Sequence, residues 1–354
     1  MKAKQWNILV ISGVVSIFIF LALSTILIDP FLHYHEPLSF LEYPLKDERY
    51  QNDGIARHYQ YDSIITGTSM SQNFKCSEFD ALWDAKSVKM AYSGATFHEL
   101  NESLRRALSY QSGIRYVVCS LDGNRINIPA WQDEYTGYPE YLYDNNFFND
   151  VSYLLNKEVV PKTLAVINYT RAGEVTPDRD MYGNWSQYAS FGAEVVLKEF
   201  TPLPISDDEI FITEEDVKII TDNITQNFLK TALEHPDTEF YFFFPPYSIC
   251  YWDSLVRSKQ IYIQLEAQKL AAYLLLTAEN VHVYDFSNRI DIIGDLDNYS
   301  DTLHYSDSIN TEILKCMRNG RQELTLESVE VYYKEILKLY EEYDYSAYRG
   351  ADTF

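Results

Sequence analysis

The sequence predicts an α/β fold: a three-layer α/β/α sandwich around a parallel sheet of about five strands, preceded by one transmembrane helix. Short apolar runs of strand type alternate with amphipathic runs of helical period along most of the chain. The strand-type runs are apolar throughout, which is typical of strands covered by helices on both faces of a parallel sheet. An uncharged run near the N-terminus is long enough to cross a bilayer.

The N-terminal run covers residues 7–28 and contains no charged residue, and Lys2 and Lys4 precede it. At about 1.5 Å per residue, a helix of this length spans a hydrocarbon core of roughly 30 Å. A cleavable signal peptide has a shorter apolar core of about 7–15 residues, so an uncleaved anchor is favoured and a cleaved signal is the alternative. The positive-inside rule then places residues 1–6 in the cytoplasm and everything after Asp29 outside the cell membrane.

The part after the anchor divides by composition and period. Residues 29–60 hold prolines and charges without a clear period, and we interpret them as a stalk or entry segment. Residues 61–354 form the predicted extracytoplasmic domain. Its strands are predicted at residues 63–66, 87–91, 115–121, 239–244 and 281–286. An aromatic, polar segment at about 123–204 is too long for a simple connection, so we interpret it as an insertion lying over the strand ends.

Composition and charge narrow the class of function. The chain has 354 residues, and its 52 acidic and 29 basic side chains give a net charge of −23. Because binding to phosphates needs a surplus of Lys and Arg, this charge argues against nucleic acid and against anionic lipid headgroups as partners. The four cysteines show no CxxC spacing, so neither a zinc site nor any other cofactor site is expected.

A serine follows the first predicted strand directly. Residues 63–66 (SIIT) lead into Gly67, Thr68 and Ser69, and a helix is expected to start within a few residues. In parallel sheets ligands bind at the carboxyl ends of the strands, and helix N–H groups behind a serine there would stabilise negative charge. Serine is also a common N-cap, so the pattern fits a nucleophile and a capping residue equally.

Asp301 and His304 form a second candidate group, in the polar loop that follows the last predicted strand. Three residues apart in a turn, the carboxylate can hold one ring nitrogen while the other nitrogen faces a hydroxyl. The alternative is a surface DxxH sequence with local hydrogen bonds only. None of the other histidines combines a carboxylate three positions earlier with a place after a strand, so His304 is the best candidate base.

Gly94 lies in the YSGAT sequence between the second predicted strand, 87–91, and a helix. A glycine there lets a backbone N–H approach a ligand closely, which suits a donor to an oxyanion. An ordinary glycine of a strand-to-helix turn would give the same pattern.

Taken together, these sequences resemble the SGNH/GDSL hydrolase superfamily, which has a flavodoxin-like sheet. The GTS turn at 67–69, Gly94 and the late DTLH at 301–304 occur in the order of that family, over about residues 61–317. The anchor, the GTSM and YSGAT turns and residues 243–248 (FFPPYS) look like a membrane-anchored branch, similar to proteins of D-alanyl-lipoteichoic acid biosynthesis and alginate O-acetylation. Members of this branch work beside multi-spanning acyltransferases that pass acyl groups across the membrane.

The resemblance implies a role for each residue that matches the family motifs. Ser69 would be the nucleophile, His304 the general base and Asp301 the carboxylate that orients the base. The backbone N–H groups of Ser69 and Gly94 would bind the oxyanion.

The sequence departs from the family pattern at two places. Thr68 replaces the aspartate of the GDS signature, at a position that is not the nucleophile. The third-strand GxND motif is replaced by Asp122-Gly123-Asn124, in which Asn124 is the candidate side-chain donor to the oxyanion. Asp122 is the alternative equivalent, and a carboxylate there would oppose an oxyanion.

These observations predict an extracytoplasmic serine enzyme that handles acyl esters of a cell-envelope glycan through an acyl-serine, as an O-acyltransferase or an esterase. The expected partners are that glycan, the membrane through the N-terminal helix, and a multi-spanning membrane acyltransferase. The acidic charge favours a neutral or weakly charged glycan over teichoic acid. The alternatives are a catalytically degenerate glycan-binding or assembly factor and a secreted esterase of loose specificity.

Overall fold

The computed structural model describes residues 3–135, 138–144 and 146–348. The α-helices are α1 Ala3–Ile28, α2 Glu48–His58, α3 Ser69–Gln72, α4 Cys76–Trp83, α5 Phe97–Tyr110, α6 Val151–Leu154, α7 Val159–Arg171, α8 Ala193–Glu199, α9 Glu214–Ile224, α10 Lys230–Glu234, α11 Ile249–Arg257, α12 Ile261–Leu275, α13 Ile290–Ile293, α14 Asp307–Arg318 and α15 Val329–Glu342. The β-strands are β1 Ser63–Gly67, β2 Ser87–Ala91, β3 Tyr116–Ser120, β4 Glu239–Phe244, β5 Val281–Asp285 and β6 Glu323–Leu324. Short 3₁₀ turns lie at Gly123–Arg125, Glu140–Leu142, Ser186–Tyr188, Leu296–Asn298 and Ser346–Tyr348.

The chain divides into two compact units. The first takes the described residues of 1–60 and 136–178, and the second takes those of 61–135 and 179–354. The predicted limits, a stalk at 29–60 and one external domain at 61–354 with an insertion at about 123–204, stay predictions.

The strands of the described residues form one six-stranded sheet in the order β2-β1-β3-β4-β5-β6. Strands β1 to β5 pair in parallel, and β6 pairs antiparallel with β5. The α/β class and the parallel strands are therefore confirmed, whereas the two-residue β6 is an element that the sequence did not predict. All five residues of β1 and of β2 are buried, as expected for strands without a solvent-facing side.

The helices of the second unit carry the amphipathic spacing that predicted them. The buried apolar residues of α5 lie three or four positions apart, at Phe97, Leu100, Leu104, Ala107 and Leu108. Helix α9 starts with a capping box, in which Thr213 and Asp216 each accept a hydrogen bond from the other's backbone N–H. It continues through a π-helical segment at Thr225–Leu229 into α10.

Within the described residues, α1 is the one helix long and apolar enough to cross a membrane. Its 26 residues reach about 39 Å. Its large apolar side chains are exposed from Trp6 to Leu27, and only Thr25 and Ile28 are buried. A helix that is apolar all round is typical of a lipid or protein interior and not of an aqueous surface. Its length and composition are therefore consistent with a single-pass anchor.

Asp29 turns the chain sharply at the end of α1, with a φ of +48°. Its carboxylate accepts hydrogen bonds from the backbone N–H groups of residues 33–35, at 2.7 to 3.1 Å. The Tyr153 hydroxyl donates to the same carboxylate at 2.6 Å. These bonds fold the segment after α1 into a compact loop of the first unit.

Candidate active site

Polar turns that follow neighbouring strands lie side by side at one edge of the sheet. Gly67 at the end of β1 is paired with Ala91 at the end of β2, and Thr66 is paired with Cys119 in β3. The turn after β2 is held to β1 by a hydrogen bond from the Tyr92 N–H to the Gly67 carbonyl at 2.8 Å. This edge carries the carboxyl ends of the parallel strands, where ligands bind in such sheets.

The turn between β1 and α3 requires glycine at its first position. Gly67 has a φ of +130°, which residues with a side chain rarely adopt. A Cβ added there would collide with the Ser71 and Ser120 hydroxyl oxygens. The backbone therefore passes closer to β3 than any other residue would allow, and it brings residue 69 to the sheet edge.

Thr68, and not Ser69, caps α3. The Thr68 hydroxyl oxygen accepts a hydrogen bond from the Met70 N–H at 3.3 Å. The capping role that the sequence left open for Ser69 is thus filled by its neighbour, and the Ser69 hydroxyl bonds a distant side chain instead.

That side chain is His304. The Ser69 Oγ lies 2.8 Å from the His304 Nε2, across 235 positions of sequence. The other ring nitrogen, Nδ1, lies 2.6 Å from the Asp301 Oδ2. Protonated at Nδ1, the ring can accept the Ser69 proton at Nε2 while the carboxylate holds its orientation. The structure thus brings the three predicted catalytic residues into one hydrogen-bonded chain.

Asp301 is itself fixed by the backbone. Its Oδ1 accepts hydrogen bonds from the N–H groups of Leu303 at 2.7 Å and His304 at 2.8 Å. Partial burial raises the pKa of Asp301, but the hydrogen bonds from His304 and Leu303 outweigh it, so the pKa lies below its ordinary value. The carboxylate therefore stays charged at neutral pH, as an orienting partner of the imidazole should.

Gly94 occupies an open turn beside this chain of residues. Its φ is +65°, and no heavy atom lies within 4 Å of the position a Cβ would take. Asn124, the predicted side-chain donor, is exposed in the 3₁₀ turn Gly123–Arg125. Among the described residues, no hydrogen bond links the Asn124 side chain to Ser69 or His304. The role of Asn124 as an oxyanion donor stays a prediction.

Asp122 lies buried behind the nucleophile turn, and its oxygens face hydroxyl groups. The Thr68 hydroxyl donates to the Asp122 Oδ2 at 2.6 Å, and the Tyr247 hydroxyl donates to the Oδ1 at 2.8 Å. Burial raises the pKa of Asp122, and the hydrogen bonds from Thr68, Tyr247 and Ser120 only partly offset this. Thr68 therefore joins the turn to β3 through a buried hydroxyl–carboxylate bond.

Trp185 is a site residue that the sequence analysis missed. Its indole Nε1 donates to the Ser69 carbonyl oxygen at 2.9 Å. Its ring stands edge-on to the His304 imidazole, with centroids 5.2 Å apart and planes 86° apart. Trp185 therefore contacts both residues of the Ser69–His304 hydrogen bond, Ser69 through its backbone carbonyl and His304 through its ring. The one available signal was its place in the aromatic segment at 123–204, which has no motif spacing.

Asn73 holds the Trp185 segment against the site. Its side-chain oxygen accepts from the backbone N–H groups of Trp185 at 3.1 Å and Ser186 at 3.2 Å. Its amide nitrogen donates to the carbonyl oxygen of Tyr305 at 3.4 Å. One side chain just after α3 thus connects the segment carrying Trp185 to the loop carrying His304.

Arg125 is a second residue that the sequence did not single out. Its guanidinium donates to the Gly94 carbonyl oxygen at 3.2 Å and pairs with the Glu134 carboxylate. It therefore ties the turn after β3 to the turn after β2, and it holds the Gly94 peptide from the carbonyl side.

A cavity of about 270 Å³ lies next to Asp301. Its lining residues are Val196, Glu199, Phe200, Asp301, Thr302 and Leu303. Apolar and polar groups contribute together, as they do in sites that take a small organic ligand.

Comparisons with known proteins add little to this geometry. No family model matches the chain, and no curated protein matches its sequence. One solved structure, described as "a putative platelet activating factor from Streptococcus pneumonia", is 12% identical, with 81% of this chain and 91% of that chain covered. Its TM-score is 0.38, so the likeness carries no argument about fold or function.

Proposed function

We propose that the protein is an SGNH-type serine enzyme, an O-acyltransferase or an esterase, that acts on a cell-envelope glycan through an acyl-serine intermediate. The observation that carries the proposal is the hydrogen-bonded chain Ser69–His304–Asp301 at the carboxyl edge of a parallel sheet. A serine that bonds an imidazole, which in turn bonds a carboxylate, is the arrangement that acyl transfer requires.

The fold belongs to the same proposal. The parallel strands follow the order 2-1-3-4-5, which is the flavodoxin-like order of doubly wound sheets. We take the sheet as the middle layer of a three-layer α/β/α sandwich of SGNH type. The family assignment rests on the residue pattern and on this order, since no family model matches.

The first half of the reaction uses each residue of the chain once. The Ser69 Oγ attacks the ester carbonyl carbon, and the His304 Nε2 takes the hydroxyl proton. The carbonyl oxygen becomes an oxyanion that the backbone N–H groups of Ser69 and Gly94 bind. The bond to the leaving alcohol then breaks, and His304 returns its proton to that oxygen.

The second half repeats these steps with a different hydroxyl. Water gives an esterase, and a glycan hydroxyl gives an O-acyltransferase; in both cases His304 removes the proton and Ser69 leaves as the alcohol. The family branch favours transfer, with a multi-spanning acyltransferase as the source of acyl groups. The cavity beside Asp301 lies just under the usual range of ligand pockets, about 300–1,000 Å³, which suits one sugar ring or a short acyl chain.

Location and acceptor follow from charge. The lysines before α1 support a cytoplasmic N-terminus, so the proposed location of the chain after Asp29 is outside the membrane. The net charge of −23 would repel a polyanionic acceptor, so the proposed glycan is neutral or weakly charged.

A fluorophosphonate probe tests the proposal, because it reacts with activated serines only. We expect one labelled residue, Ser69, and no labelling of Ser69→Ala or His304→Ala. Ser109→Ala removes an exposed serine of α5 that bonds only its own helix, and it should label normally. Labelling that persists in both site variants would overturn the proposal.

A second candidate function is favoured by one observation. The third-strand GxND motif is replaced by Asp122-Gly123-Asn124, and within the described residues the exposed Asn124 makes no hydrogen bond to Ser69. The protein would then be a catalytically degenerate glycan-binding or assembly factor. Normal glycan acylation in a strain carrying Ser69→Ala would select this function over catalysis.

A further inference from the structure

Large apolar side chains are exposed in the first unit, on elements that pack around the end of α1. Their exposed fractions are 78% for Phe147, 97% for Phe148, 58% for Val151, 38% for Leu155 and 56% for Leu164. We call these five residues the apolar rim. Large exposed apolar side chains on neighbouring elements are typical of a surface that binds a partner or a membrane.

The rim is joined to α1 through its own helices, because α6 and α7 both pack against α1. On α7, the Thr163 hydroxyl lies 3.4 Å from the hydroxyl of Thr25 in α1. On α6, the Tyr153 hydroxyl donates to Asp29, the residue that follows α1. Val151 is the first residue of α6 and Leu155 is the C-cap residue that follows it, two positions before and two positions after Tyr153.

The length of α1 indicates the depth at which the rim would lie in a bilayer that α1 crosses. The uncharged residues 7–28 reach about 33 Å, close to the thickness of a hydrocarbon core, so Ile28 lies near its boundary. Thr25, about 4.5 Å before Ile28 along the axis, is the residue that contacts Thr163. The helices that carry the rim therefore meet α1 at the depth of the lipid headgroups and upper acyl chains.

Residues 146–155, which include four of the five rim residues, expose no charged side chain. Asp150 is the only charged residue between 146 and 155, and it is buried. Its carboxylate accepts a hydrogen bond from the Tyr34 hydroxyl at 2.9 Å and lies 3.6 Å from the His33 ring. Moving the surface of residues 146–155, which excludes Leu164 and the exposed Lys157 and Glu158, into an apolar medium therefore desolvates no exposed charge, which favours lipid over a polar protein partner.

A packed aromatic cluster lies behind the rim. The Phe31 ring lies 4.8 Å from that of Tyr50 and 5.9 Å from that of Tyr153, and the Tyr141 ring lies 6.4 Å from that of Tyr153. These contacts pack the segment after α1 against Tyr153 of α6, the helix that also carries Val151 of the rim. Tyrosines are also enriched where proteins cross membrane–water interfaces.

We propose that the apolar rim inserts into the surface of the bilayer from which α1 emerges, and that its occupant is electrically neutral lipid. The net charge of −23 opposes anionic headgroups, so apolar contact and not charge holds the rim. The first unit is then attached to the membrane at two places, α1 and the rim, which fixes its orientation. The inference depends on α1 crossing a membrane and is independent of the acyl-ester chemistry.

Depth measurements on the full chain in phosphatidylcholine nanodiscs test this inference. The four native cysteines are buried, so a cysteine introduced at Phe148 or Val151 can be labelled selectively with the fluorophore NBD. Tyr188→Cys is the control, since Tyr188 is 84% exposed and follows two polar residues in the second unit. We expect both rim labels to emit at shorter wavelength than the control and to be quenched by lipids with a nitroxide high on the acyl chain.

Water-like emission without lipid quenching at both rim positions would overturn the proposal, and would leave a protein partner as the occupant. Lipid contact that requires phosphatidylglycerol would overturn the choice of neutral lipid. Because the rim side chains are exposed, their replacement leaves the packed cluster intact, and unchanged thermal unfolding verifies that the labelled chains are folded.

Discussion

The indole N–H of Trp185 donates to the carbonyl oxygen of Ser69 at 2.9 Å, so the peptide that follows the proposed nucleophile is held by a side chain 116 positions away. The same ring closes one side of the His304 imidazole. Trp185 thus contacts both partners of the proposed proton transfer, and we expect it to act as a positioning residue for them.

Trp185→Phe keeps a ring beside His304 and removes the donor. A neutral hydrogen bond contributes about 0.5–1.5 kcal/mol, so we expect kcat to fall by up to roughly tenfold with KM little changed. Steady-state kinetics on a small aryl ester measures this. Phe191→Leu, at the ring that stacks on the far side of Trp185, is the control for lost packing. Equal effects of the two changes would show that Trp185 acts by packing alone.

Asp301→Asn should preserve the fold and remove most of the activity. The amide no longer favours the ring tautomer that bears its proton on Nδ1, and in serine proteases the same change lowers kcat by about 10⁴-fold. Hydrolysis rates and thermal unfolding measured together separate this effect from misfolding. Activity within tenfold of the unchanged protein would contradict the assigned role of Asp301.

The pH dependence of stability gives a second test of Asp301. Its pKa is lowered on folding, so its contribution to stability is present above the ordinary pKa of about 3.9 and is lost as pH falls through the folded value. We expect the difference in unfolding free energy between the unchanged protein and Asp301→Asn to shrink below about pH 4. A difference that is constant from pH 3 to 7 would argue against the hydrogen bonds to its carboxylate.

Asp122 should show the opposite sign. Burial raises its pKa, so this carboxyl binds a proton more readily in the folded state. Relative to Asp122→Asn, the unchanged protein should therefore lose stability as pH rises from about 4 towards the folded pKa of Asp122. Chemical denaturation at several pH values measures this. An increase in relative stability over the same range would contradict a pKa of Asp122 raised by burial.

Thr68→Val removes the hydroxyl that both caps α3 and donates to Asp122. A hydrogen bond to a charged group contributes about 1.5–3 kcal/mol, and we expect the unfolding free energy to fall by a similar amount. Thr68→Ser is the matched control, because it retains the hydroxyl and should lose less than half as much. A smaller loss in Thr68→Val than in Thr68→Ser would contradict the contribution assigned to the hydroxyl's hydrogen bonds.

Gly113 is a matched control position for a substitution at Gly94. Gly94 and Gly113 have φ values of +65° and +78°, and both have empty space where a Cβ would lie. Alanine should cost each site about 1–2 kcal/mol of stability, because both are in the left-handed region. Only Gly94→Ala should also slow turnover, since its N–H is the proposed oxyanion donor. Equal kinetic effects in the two variants would remove Gly94 from the site.

The sequence predicted the sheet well because each parallel strand is a continuous buried run that can be recognised locally. β6 is only two residues long, Glu323 and Leu324, and it exists through its antiparallel pairing with Tyr284 and Val283 of β5. Pairing of that kind depends on tertiary contacts. Residues 29–60 show no regular spacing of apolar residues for the same reason, since tertiary contacts contribute to their structure. One such contact within the first unit is the hydrogen bond from the Tyr43 N–H to the Thr176 hydroxyl.

At the candidate site, local motifs identified Ser69, Asp301 and His304 because each lies just after a strand or within one short loop. Trp185 was missed because its bond goes to a backbone carbonyl, which imposes no sequence pattern. Asn124 was predicted from the Asp122-Gly123-Asn124 sequence that stands where the family has its third-strand motif, and its side chain is exposed in the 3₁₀ turn. Its role as an oxyanion donor stays a prediction, because sequence spacing predicts which turn a residue occupies and not which way its side chain faces.

Trapping of an acyl-enzyme tests the central claim most directly. The full chain is incubated with p-nitrophenyl acetate, quenched in acid and digested, and the peptides are analysed by mass spectrometry. The proposed mechanism predicts one acetyl group on Ser69, absent from Ser69→Ala and strongly reduced in His304→Ala. An acetyl group on another residue, or on Ser69 to the same extent without His304, would contradict it.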